Sequence, residues 1–110
     1  MSAPRRYGQL LRVRPEHRVE YVEYHNAVWP DVLAAIHRAN IRNYSIYLHD
    51  DWLFAYFEYV GADFEGDMKG MADDEATKRW WAVMEPMQDP VPTRKPGEWW
   101  AAMDEVFHVD

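Results

Sequence analysis

Two strand-like stretches separated by a short turn constrain this chain more than any other feature. Asn43-Tyr44-Ser45-Ile46-Tyr47-Leu48 and Trp52-Leu53-Phe54-Ala55-Tyr56-Phe57-Glu58-Tyr59-Val60 are both rich in aromatic and branched residues. Such residues favour strands because they pack well on a pleated surface. Between them, His49-Asp50-Asp51 puts Asp at the centre of the connection, where its short polar side chain supports a tight turn. The two stretches therefore read as an antiparallel hairpin.

The flanking segments decide what the hairpin belongs to. Gln9 to Arg14 alternates, with Leu11 and Val13 apolar, and predicts a first strand. The residues before it, 1–6, are expected to be flexible. Pro15 and Glu16 open a helix, since Pro suits the first helical position and an acid favours the positive end of the helix dipole. That helix runs to about Ala27, with Tyr21, Val22, His25 and Val28 at three- and four-residue steps. Pro30 predicts a break near Trp29, and Asp31 lies in the first turn of a second helical piece, which ends near Asn40. Beyond the hairpin, Asp63 to Ala72 and Glu75 to Met87 read as helices, the latter carrying Trp80, Trp81 and Met84. The Pro-containing stretch Asp89 to Gly97 is a loop by composition, and Met103 to Val109 predicts a last strand.

Strand, helix, strand, strand, helix, strand is the split βαβ order of a ferredoxin-like α+β fold, an antiparallel sheet with helices on one face. The opposite face is then bare. Leu11, Val13, Ile46, Leu48, Phe54, Tyr56, Val106 and Phe107 exceed what one helical layer covers. Homodimerisation through the sheet face is the simplest way to bury the surplus.

A length of 110 residues fits one domain, spanning residues 1–110. Six Trp, seven Tyr and four Phe give this short chain much apolar area. The formal charge of −7 repels phosphate backbones, so nucleic acid is not an expected partner. There is no cysteine, which excludes disulfides, thiol nucleophiles and Cys-based zinc sites and fits a reducing compartment. The first eight residues have no apolar core of a signal peptide, and no stretch approaches a membrane span. The expectation is a cytoplasmic protein without a membrane partner.

Much chemistry is missing. There is no Gly-rich phosphate loop and no dinucleotide fingerprint. His17, His25, His37, His49 and His108 show no metal-ligand spacing, and Ser2 and Ser45 lie in no nucleophile elbow. Neither a metal nor another cofactor is expected. Tyr21 and His25, four apart on one helix, share a face and can meet one substrate. Histidine can give and take protons near neutral pH, although a lone helical His is more often without a role. Trp80 and Trp81 point about 100° apart on a helix. One can fill the core while the other lines a surface or pocket, where an indole stacks on the C–H face of a sugar. Core and dimer packing explains the pair equally well. Tyr44, Tyr47, Tyr56 and Tyr59, taken singly, read as strand packing.

The combination is more specific than its parts. Tyr21-Val22-Glu23-Tyr24-His25-Asn26-Ala27-Val28-Trp29-Pro30 resembles the Tyr-x-x-x-His-Asn-x-x-Trp-Pro signature of the L-rhamnose mutarotase family. Asn43 to Leu48 resembles that family's first hairpin strand. Thr77-Lys78-Arg79-Trp80-Trp81-Ala82-Val83-Met84 resembles its Arg-Trp-Trp-x-x-Met helix, and Glu105-Val106-Phe107-His108 its last strand. The matches come in order and span the chain from about Tyr7 to its end.

The resemblance implies a dimeric α/β barrel of ferredoxin-like subunits. It implies a cofactor-free isomerase that interconverts the anomers of L-rhamnose or a related deoxy sugar by general acid–base catalysis. By position in these motifs, His25 is similar to the family's proton donor, and Tyr21, Tyr44, Trp80 and Trp81 to its sugar-binding residues. The resemblance assigns neither the complementary base nor a role for Trp99 and Trp100. The same scaffold also hosts small oxygenases and haem-handling proteins, and an aromatic pocket without an acid would make a non-catalytic sugar-binding module.

Overall fold

The computed structural model describes residues 4–110. Its central strand, β1 (Arg5–Val13), pairs antiparallel with β3 (Trp52–Tyr59), which pairs antiparallel with β2 (Ile41–His49). Two short strands share the other edge of β1. β4 (Gln88–Asp89) lies opposite Arg12 and Val13, and β5 (Ala101–Met103) lies opposite Gly8 to Leu10. The spatial order is β2-β3-β1-β4, with β5 beside β1 as well. The helices are α1 (Arg18–His25), α2 (Pro30–Arg38), α3 (Phe64–Asp73) and α4 (Glu75–Met84). Together they make the ferredoxin-like α+β arrangement expected from the order of elements.

Local chemistry sets the boundaries. Pro15 opens a single 3₁₀ turn that leads into α1, and Pro30 is the first residue of α2, where its missing N–H costs no helical bond. Asp63 caps α3 by accepting from the Gly66 N–H at 3.1 Å. Asp74 caps α4 by accepting from the Thr77 N–H at 2.9 Å and its hydroxyl at 3.0 Å. Along β3, Leu53, Ala55, Phe57 and Tyr59 are buried, while Trp52 and Phe54 are exposed on the other face. The main core gathers Leu11, Val13 and Leu53 of the sheet with Tyr21, Val32, Trp80 and Met84 of the helices.

β1 begins at Arg5, and Arg5 and Arg6 stand opposite Tyr59 and Glu58. Residues 1–3 lie outside the described residues. One expectation needs correction: the last strand is shorter and earlier than Met103 to Val109, forming over Ala101–Met103 only. Beyond it the chain has no ladder partner. Arg6 and Glu105 meet through an ion pair at 2.7 Å, and Val106, Phe107 and Val109 project 93%, 78% and 71% exposed. A strand pattern needs a neighbouring strand to become a strand, and the single chain supplies none there. Among the described residues, no helix is long and apolar enough to cross a membrane.

Candidate functional site

Between the inner face of the sheet and the helices lies a cavity of about 890 Å³. Tyr21 and His25 reach it from α1, Tyr44 from β2, and Trp80 and Trp81 from α4. All five residues singled out in the sequence therefore line one space.

The helical spacing works as expected at the first pair. The rings of Tyr21 and His25 lie 4.5 Å apart with a 31° tilt. His25 Nδ1 is 2.8 Å from the backbone carbonyl oxygen of Tyr21. A carbonyl oxygen only accepts, so Nδ1 carries the proton of that bond. Any proton that His25 exchanges with a ligand must then pass through Nε2. Trp80 stands edge-on to this ring at 5.5 Å and to Trp29 and Tyr24 at 5.1 and 6.1 Å. It is 6% exposed and is a core residue as much as a cavity wall. Trp81, one position on and turned away from it, keeps 37% of its surface open.

A break in the strand pattern places Tyr44. Arg42 pairs with Glu58 and Ser45 with Tyr56, so Asn43 and Tyr44 together oppose Phe57. This is a β-bulge, and it reverses the alternation: Ile41 before it and Ile46 and Leu48 after it all line the cavity. Asn43 takes a left-handed φ of 50°, which Asn tolerates better than most residues. Its side-chain amide donates to Glu58 Oε1 at 2.7 Å. Strand periodicity alone missed the bulge, although an Asn inside an otherwise β-rich run is the signal that could have found it.

Both cavity phenols are held in the neutral form. Burial pushes Tyr44 up to about 12, with the nearby Tyr21 oxygen adding to the rise. Tyr44 nevertheless keeps 39% of its surface open, on the wall of the cavity. Burial also raises Tyr21, partly offset by a hydrogen bond from Gln88. Two protonated phenols suit the recognition of hydroxyl-rich ligands, since each can donate and accept.

Gln88, Trp99 and Trp100 also line the cavity. Gln88 is missed by motif reading because a lone Gln carries no pattern. The Trp99-Trp100 pair is visible in the sequence but gains a location only from the fold. Glu85 is the one carboxylate among the described lining residues. No three His, Asp or Glu among the described residues gather closely enough to hold a metal ion.

Comparison with known proteins covers nearly the whole chain. The family model described as L-rhamnose mutarotase matches residues 6–109. A protein of Ligilactobacillus salivarius named L-rhamnose mutarotase is 35% identical over 108 residues, covering 96% of this chain and 97% of its own. Another so named, from Oceanobacillus iheyensis, is 30% identical over 106 residues, covering 96% and 99%. The crystal structure of L-rhamnose mutarotase from Formosa agariphila superposes with a TM-score of 0.75 at 22% identity, covering 96% of this chain and 99% of that one. This last likeness bears on the fold.

Proposed function

Since this chain belongs to the L-rhamnose mutarotase family, we propose that it interconverts the α and β anomers of L-rhamnose or a closely related 6-deoxy sugar by general acid–base catalysis. The convergence of Tyr21, His25, Tyr44, Trp80 and Trp81 on one cavity from three separate elements carries the proposal.

The reaction needs little machinery. As the C1–O5 bond breaks, the anomeric hydroxyl gives its proton to water or to a cavity carboxylate such as Glu85, and the ring oxygen receives one from the acid. The open aldehyde turns about C1–C2, and the same transfers run in reverse on its other face. In this reading His25, protonated on both nitrogens, gives the Nε2 proton to the ring oxygen and takes it back on closure. Its Nδ1–H stays on the Tyr21 carbonyl throughout. Tyr21 and Tyr44 hold sugar hydroxyls, and the open indole of Trp81 lies against the C–H face of the ring beside Trp80. General acid–base catalysis contributes about 10²- to 10⁴-fold, enough for a reaction that already proceeds in water.

The proposal includes a homodimer. Tyr47, Trp52, Phe54 and Met103 are 66%, 38%, 39% and 40% exposed. Tyr47 and Phe54 face each other across β2 and β3, an aromatic patch on the side of the sheet away from the helices. We place the enzyme in the cytoplasm, in keeping with its lack of cysteine.

Saturation-transfer NMR on L-rhamnose, L-fucose and L-lyxose tests the activity. Anomer exchange faster than in buffer, greatest for L-rhamnose and lost in His25→Asn, is the expected result. Binding without faster exchange would reduce the protein to a sugar-binding module, and wild-type exchange in His25→Asn would remove the histidine from the mechanism.

A further inference from the structure

Gln88 and Thr77 are the buried non-aromatic polar side chains among the described residues. Gln88 lies on β4 opposite Val13, and its amide bridges two aromatic groups at the cavity. The indole N–H of Trp99 donates to Gln88 Oε1 at 2.8 Å. Gln88 Nε2 donates to the hydroxyl of Tyr21 at 3.0 Å.

The chemistry of the three groups leaves one orientation. An indole N–H is a donor only, so the amide atom facing it is the oxygen. The other end of the amide is then NH₂, which cannot accept. The Tyr21 oxygen must accept from it, and the hydroxyl proton has to point elsewhere. Tyr21 lines the cavity, and its hydroxyl donates to no protein acceptor among the described residues.

We propose that Gln88 is a positioning residue that fixes Tyr21 as a hydrogen-bond donor to the sugar, with Trp99 as the latch that fixes Gln88. The inference rests on the reading of Tyr21 as a sugar-binding residue. It gives Trp99 a task that substrate contact does not require, and it ties the loop that follows β4 to the site. A sugar hydroxyl has one proton. While it accepts from Tyr21 it can spend that proton on another partner, and if the phenol were reversed it would lose that second bond.

Gln88→Glu is the direct test, read as KM and kcat for anomer exchange across pH. The new side chain keeps the size of the old one. Ionised, it accepts from both Trp99 and Tyr21, and so turns the phenol proton away from the sugar. KM is expected to rise about 2- to 10-fold, the worth of one neutral hydrogen bond, with a smaller change in kcat. At acid pH the introduced carboxyl can donate again, so the ratio of its KM to that of wild type is expected to fall as pH falls. A role in packing alone would not make that ratio follow pH.

Trp99→Phe provides a second route if the buried carboxylate prevents folding. It frees the amide to turn over and is expected to raise KM in the same direction by less. Tyr21→Phe serves as the reference. If it raises KM while Gln88→Glu, or Trp99→Phe where the former does not fold, leaves KM unchanged at every pH, the inference fails and the proposed function stands. If the wild-type protein does not accelerate exchange at all, the proposed function itself fails.

Discussion

His25 Nδ1 lies 2.8 Å from the carbonyl oxygen of Tyr21, one helical turn earlier on α1. The bond determines which ring nitrogen meets a ligand. It also anchors the candidate acid on the backbone of a candidate sugar-binding residue.

Asparagine separates the two nitrogens of His25. Its amide reaches about as far as Nδ1 and can still donate to the Tyr21 carbonyl, but it has no group at the place of Nε2. We expect His25→Asn to melt close to wild type and to lose about 10²- to 10⁴-fold in kcat. Thermal denaturation and saturation-transfer NMR on the same sample check both halves.

Asn43 is the residue on which the bulge turns. Its φ of 50° is strained for a β-branched side chain, and a left-handed conformation costs about 1–2 kcal/mol at an ordinary residue. Asn43→Val should therefore destabilise by at least that much and lose the bond to Glu58 as well. If the bulge is lost with it, Tyr44 turns from the cavity and KM rises. Asn43→Gly loses the same bond but relieves the φ, and should keep the register and most of the affinity. Denaturant midpoints together with KM separate strain from the hydrogen bond.

The contrast between Tyr21–His25 and Tyr44 shows what a sequence makes legible. A helix keeps i and i+4 on one face by its own geometry, so the first pair could be placed from spacing alone. The face that Tyr44 presents depends on a register shift in β2 against β3, a property of two strands together. Gln88 is further from view, since its meaning lies in partners 67 residues before it and 11 after. The last strand failed for a related reason. Val106, Phe107 and Val109 have the composition of a strand, but the single chain offers them no neighbour.

Adjacent tryptophans on α4 should respond oppositely to truncation. Trp80 is 6% exposed within the main core, and Trp80→Ala should cost about 3–5 kcal/mol, the usual range for a deleted large aromatic. Trp81 is 37% exposed. Trp81→Ala should change stability by less than about 1 kcal/mol while raising KM through the loss of its face against the sugar. Urea unfolding and KM for the two variants test the division, and equal stability losses would contradict it.

Alkaline pH should weaken the fold through its phenols. Tyr44 is raised from 10.0 to about 12 by burial and then by Tyr21. The folded protein therefore holds this proton more tightly than the unfolded chain does. The associated stability is fully present below pH 10 and is lost as pH rises towards 12. Tyr21, Tyr56 and Tyr59 are raised as well, so Tyr44→Phe should make the fall in the urea midpoint shallower without abolishing it. An unchanged slope between pH 10 and 12 would mean that the Tyr44 hydroxyl is freely solvated.

The outer face of the sheet provides the test of assembly. Tyr47 and Phe54 stand opposite each other there, flanked by Trp52 and Met103. A stable interface needs about 800 Å² from each partner, more than four side chains contribute. The exposed tail after Met103, with Val106, Phe107 and Val109, is the apolar surface nearest in sequence that could extend the patch. Light scattering on the wild-type chain should give twice the mass of one chain. Phe54→Glu should bring it to the single-chain mass by placing a charge in the middle of the patch. Val19→Glu, at a 72% exposed position on α1, should leave the dimer intact, since that helix packs against the opposite face. A wild-type protein that runs at single-chain mass, or a Phe54→Glu variant that stays dimeric, would place the interface elsewhere or remove it.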